Sequence, residues 1–239
     1  MGSGLVPYKK ETQIEQAVNE FRQEHREFAK RQREKHGYPD HHYPIVEVVD
    51  LDLKLDIMPL PGLYHSVGRA SDYLAADQET LYIDKECSEK MEDTYRYTLA
   101  HEVSHLMLHR DLWDAFNFED SDEYVQQISS LITDREYKRM EYQSNLFAGL
   151  LLVPANHLRP IFKEASAEYI TLKGKAANLP PQSVFDHILK LVCENTAKQF
   201  VVDPYSIRVA ADMNGMSNWL AVQLCGEDHG LESERRVYN

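Results

Sequence analysis

The chain has no long apolar stretch: its longest, Leu146 to Pro154, falls far short of the roughly 20 residues a membrane-spanning helix needs. No membrane span is expected. Cysteine is equally scarce. Cys87, Cys193 and Cys225 are odd in number, far apart and outside any C-x-x-C spacing, which argues against a disulfide framework or a zinc ribbon. They read as scattered reduced thiols. No secretory signal pattern opens the sequence, so a cytoplasmic location is expected. Positive charge is also in deficit, with a formal net charge of −13. That balance opposes direct nucleic-acid binding, because neutralising phosphates takes a basic face. Internal repeats and low-complexity tracts are absent as well.

What remains is an ordinary globular composition, 43% hydrophobic over 239 residues, enough for one large domain or a domain with an extension. Thr12 followed by Glu15 has the form of a capping box, and Ile14, Val18, Phe21 and Phe28 recur near helical spacing. Residues 12–36 are therefore expected as one helix, stopped by Gly37 and Pro39. Pro44 to Ile57 fits strand or helix equally. Two short strands, near 64–70 and 81–84, suggest a small antiparallel sheet. Helices follow from about Glu92 to Arg110 and up to Leu152, ended by Pro154. Ser183 is expected to cap a further helix, and Asp203-Pro204 to open another. The fold class is α+β. The expected division is a helix at 1–37, a core at 38–178 and a helical extension at 179–239.

The segment His101-Glu102-Val103-Ser104-His105 carries the chemistry. Histidines four apart lie about 40° apart around a helix and roughly 6 Å along it, so both imidazoles can approach one metal ion. Glu102 sits about 100° away, beside that stripe, where it can act as a base on a water rather than as a ligand. Catalytic zinc takes a third protein ligand and keeps one position open. His109 is excluded as that ligand, because three histidines on one straight helix span about 12 Å. It reads as a helix-end group or a partner behind the ligands. Glu141 opens a stripe with Asn145, Ala148 and Leu152, so a second helix could aim its carboxylate at the metal. An exposed helix carboxylate is an equally good reading of that spacing. Tyr142, His157, His187, Tyr205 and Arg208 have the side chains an oxyanion donor needs, but nothing in the sequence selects among them.

Two blocks resemble a known family. Arg96 to His109, RYTLAHEVSHLMLH, is similar to the active-site helix of the ImmA/IrrE metallopeptidases, and Glu141 to Pro154, EYQSNLFAGLLLVP, to that family's second motif. The resemblance implies a zincin-like core with zinc (Zn2+) held by His101, His105 and Glu141, and Glu102 as the catalytic base. It also implies an endopeptidase whose substrate is a helix-turn-helix repressor or antitoxin-like regulator. Ser104 departs from the family, which more often has glycine there. An extended substrate would be held along a strand edge, for which Leu81 to Asp84 is the expected candidate. Two other classes compete. A non-hydrolytic, zinc-organised binding protein is disfavoured by the intact Glu102, since structural sites are usually closed by four ligands. A DNA-binding helical pair after residue 182 is disfavoured by five Lys or Arg against eight Asp or Glu.

Overall fold

The computed structural model describes residues 4–63, 72–172 and 181–225. Within these the chain forms two compact units, Met1–Leu152 and Val153–Asn239. That division falls ahead of residue 178, where the sequence pattern suggested it, because Ala155–Leu172 packs with the later helices.

In the first unit, α1 (Glu11–Glu24) and α2 (Arg26–His36) replace the single expected helix, with a break at His25. The capping pair is Lys10 and Gln13 rather than Thr12 and Glu15: Gln13 Oε1 accepts from the Lys10 amide at 2.8 Å. Gly37 ends α2 at φ 71°, a left-handed conformation that glycine adopts without a Cβ penalty. The ambiguous segment becomes one helical turn, α3 (Ile45–Glu47), then a π-helical turn at Val48–Leu53, then β1 (Asp56–Leu60). The expected strand near 64–70 lies outside the described residues.

Two more strands, β2 (Asp72–Leu74) and β3 (Thr80–Asp84), complete a sheet of order β1-β3-β2. The sheet is mixed, not purely antiparallel: β1 runs parallel to β3, and β2 antiparallel. Along β3, Leu81 and Ile83 are fully buried while Tyr82 alternates to the other face and stacks on Tyr73 at 4.9 Å. β3 is therefore central. Its backbone is paired on both sides, which overturns the expectation that residues 81–84 offer a free edge.

Asp84 caps α4 (Lys85–Lys90) by accepting the Glu86 amide. Next comes α5 (Glu92–Leu108), whose first turn carries Glu92 and Asp93, favourable at the positive end of the helix dipole. Residues on most of its faces are buried, as befits a helix inside a core. After α6 (Arg110–Trp113), the acidic segment forms a further helix, α7 (Ser121–Leu131), capped by Asp120. The last helix of this unit, α8 (Asp134–Leu152), packs against α5 and α1. On α1, Ile14, Val18 and Phe21 are buried, and Phe21 meets Phe147 edge-on at 6.1 Å. Arg22 donates to the Leu150 and Leu151 carbonyls at 2.7 Å each, satisfying acceptors that a helix C-terminus leaves open.

The second unit is helical: α9 (Ala155–Leu172), α10 (Pro181–Phe200), α11 (Pro204–Met213) and α12 (Met216–Cys225). Ser183 lies inside α10 and is not its cap. Asp203 does cap α11, accepting from the Tyr205 and Ser206 amides, with Pro204 at the helix start. Leu158, Phe162, Leu189, Val192, Phe200, Ile207 and Leu220 are all fully buried there. No helix among the described residues is long and apolar enough to cross a membrane.

Candidate metal centre

α5 presents His101 and His105 on one stripe, as their spacing requires. Ligand atoms of His101, Glu102 and His105 all lie within 4.8 Å of one another. Glu141 approaches from α8, with its Oε2 3.7 Å from His101 Nε2. The structure thus brings all four sequence-selected residues together. The tightest cluster contains Glu102, whereas Glu141 reaches it by way of His101.

The ring nitrogens are already divided between roles. His101 Nδ1 lies 3.2 Å from Asn145 Oδ1, which also accepts from the Tyr97 hydroxyl at 2.6 Å. Because that amide oxygen can only accept, His101 donates from Nδ1, leaving Nε2 on the Glu141 side. His105 Nδ1 lies 3.1 Å from His109 Nδ1 and 3.4 Å from Ser144 Oγ, and Trp113 stacks on the ring at 4.4 Å. Burial, with His101 and His109 nearby, holds the His105 imidazole well below its ordinary pKa. A ligating imidazole must be neutral, so this suits metal binding.

The carboxylates respond in the opposite sense. Burial, then Asp72 and Glu141, push Glu102 well above the ordinary carboxyl range, while the Leu74 amide donates to it. Burial also raises Glu141, opposed by His101. Glu102 Oε2 is buried without a hydrogen-bond partner. A buried orphan oxygen and mutually repelling carboxylates beside two imidazoles are what a divalent cation would relieve. The donor set fits zinc, which takes nitrogen and carboxylate oxygen together.

Several contributors escaped the sequence reading. Asp72 and the Leu74 amide come from β2, whose three residues give no readable strand pattern. Tyr124, fully buried on α7, stands near Glu102 and Glu141. Tyr124 and Ile128, buried at i and i+4, are the signal by which this helix could be found in the sequence. Tyr142, a candidate oxyanion donor, instead directs its hydroxyl to Glu11 at 3.2 Å. Ser104 is fully buried and its hydroxyl has no hydrogen-bond partner.

Comparison with known proteins points to a peptidase. Residues 62–170 match the M78 peptidase family, described as the IrrE N-terminal-like domain. The stretch spans β2, β3, the HExxH helix and the helix bearing Glu141, and defines the chain as a member of a peptidase class. The match, over just under half of the chain, supports membership of the ImmA/IrrE family. No curated protein and no solved structure matches the chain.

Proposed function

We propose that this protein is a zinc-dependent endopeptidase acting on a protein substrate, with a helix-turn-helix repressor or antitoxin-like regulator as the favoured class. The observation that carries the reading is the convergence of His101, His105 and the buried Glu102 on one small volume faced by Glu141. His101, His105 and Glu141 would hold the metal. When bound, zinc supplies Lewis acidity that polarises a carbonyl and lowers the pKa of water toward about 7. Glu102 takes a proton from the attacking water and passes it to the leaving amide nitrogen. That role needs an ionised carboxylate, and a nearby cation reverses the effect of burial and of Asp72. Asn145 and Tyr97 fix the plane of His101, and the surrounding core keeps bulk water from Glu102.

The test is co-expression with a candidate repressor, followed by mass spectrometry of fragments. Wild type should give discrete cuts. Glu102→Gln should retain about one zinc per chain and lose cleavage. Inactivation of the repressor by both proteins without any cut would replace the peptidase reading with a binding one.

A further inference from the structure

We infer that His109 and Gln143, anchored on the Pro7 carbonyl, form a hydrogen-bond relay that sets the tautomer of His105 and leaves its Nε2 bare for a metal ion. The inference builds on the metal reading above, but its force comes from the polarity of three consecutive bonds.

The relay starts at a group with no choice. The Pro7 carbonyl can only accept, and Gln143 Nε2 lies 3.0 Å from it. Reversing the amide would press two acceptors together, so Gln143 is fixed with its oxygen pointing the other way. That oxygen lies 2.9 Å from His109 Nε2. An amide oxygen cannot donate, so His109 carries its hydrogen on Nε2. His109 is only 1% exposed, and its two ring nitrogens meet an amide oxygen and another imidazole, with no carboxylate on either. An unpaired buried charge is strongly disfavoured, so the ring is neutral and its Nδ1 is a lone pair. His105 Nδ1 lies 3.1 Å from that lone pair. Two bare nitrogens would repel, so His105 must carry its hydrogen on Nδ1. Ser144 Oγ, 3.4 Å from the same nitrogen, is a compatible second acceptor. The remaining nitrogen, Nε2, is left without a hydrogen.

The anchor itself is built. Arg139 Nη1 donates to the Val6 carbonyl at 2.8 Å, one helical turn before Gln143 takes Pro7, and Val6 is buried. Two successive carbonyls are therefore pinned along one face of α8. Partners behind a ligating histidine orient the ring and raise its basicity, and losing one typically weakens metal binding about 10–100-fold. Gln143 and His109 are on this account positioning residues, acting through His105.

The experiment uses full-length, metal-free protein labelled with ¹⁵N at histidine. Long-range ¹H–¹⁵N correlation reads each tautomer, and zinc affinity is measured separately by chelator competition. Wild type should show His105 as the Nδ1–H form and His109 as the Nε2–H form. Gln143→Leu should turn His105 into a mixture and weaken zinc about 10–100-fold. His109→Phe should do the same. His109→Asn, whose amide oxygen can stand where Nδ1 stood, should restore both. An Nε2–H form of His105 in wild type overturns the relay even if no variant folds. So does Gln143→Leu with an unmixed tautomer and zinc affinity within about twofold of wild type. Wild type with the stated tautomers but no zinc uptake keeps the relay and overturns the metal reading instead.

Discussion

The wall between α5 and α8 and the interior of the second unit are both fully buried, yet they are built on opposite terms. Between α5 and α8 lie Glu102, Ser104, His105, His109, Gln143 and Ser144, all polar and almost wholly shielded from solvent. The interior of the second unit is lined by Leu158, Phe162, Leu189, Val192, Phe200 and Ile207. Apolar burial contributes about 25 cal/mol per Å² without needing a partner. A buried polar atom merely avoids a loss when its hydrogen bond is made, and costs about 1–3 kcal/mol when it is not. The wall leaves two such atoms unmatched, Glu102 Oε2 and Ser104 Oγ. One region is assembled for stability. The other tolerates instability for the sake of chemistry.

Substitutions that separate activity from stability test that contrast most sharply. Glu102→Gln should lower the cleavage rate by about 10²–10⁴, equivalent to about 3–5 kcal/mol of activation free energy. The metal-free variant should nevertheless be at least as stable to denaturant, since a strained buried carboxyl has been neutralised. A loss of stability together with activity would break the comparison. In the second unit the pattern should invert: Phe162→Ala should cost about 3–5 kcal/mol of stability by urea titration. Zinc content of the protein that remains folded should be unchanged.

Acid supplies a third test. Burial, together with Arg96, His41 and Arg33, pushes the His42 imidazole down to about 3. The unfolded chain, with an ordinary histidine near 6.5, binds the extra proton first. Stability contributed by neutral His42 is therefore intact above about pH 6.5 and falls as pH drops toward 3. His105 and His109 are shifted in the same direction, so the first unit should be the acid-labile one. His42→Phe should reduce the slope of stability against pH in that window by about 1.4 kcal/mol per pH unit. The smallest effect is expected at Ser104. Removing its unmatched hydroxyl with Ser104→Ala should stabilise the protein by about 1 kcal/mol in thermal unfolding. Destabilisation there would show that the hydroxyl is bonded after all.

Legibility in the sequence followed the same divide. The HExxH helix, the Glu141 helix and the Asp203-Pro204 start were readable because spacing and capping are local properties. His109 lies outside the group of His101, Glu102 and His105 whose ligand atoms converge, as three histidines strung along one helix would suggest. Asp72, the Leu74 amide and Pro7 were not readable, since each acts across a long sequence separation. Residues 81–84 were recognisable as a strand, but their central place in the sheet depended on β1, whose sequence fitted two structures equally. The break at His25 and the helix at Ser121–Leu131 were missed because charged residues masked the periodicity.

The grip of Arg139 on Val6 joins residues 133 positions apart. A ribosome adding about 5–20 residues per second makes the first partner roughly 7–27 s before the second. Through that interval Ile14, Val18 and Phe21 have no α8 to cover them. The opening stretch must wait in a cell with its apolar face uncovered, and is then the natural point of engagement for a holding chaperone. Slowing translation between residues 60 and 130 should lengthen that exposure and lower the soluble yield, whereas slowing it well after α8 has left the ribosome, beyond about residue 210, should not.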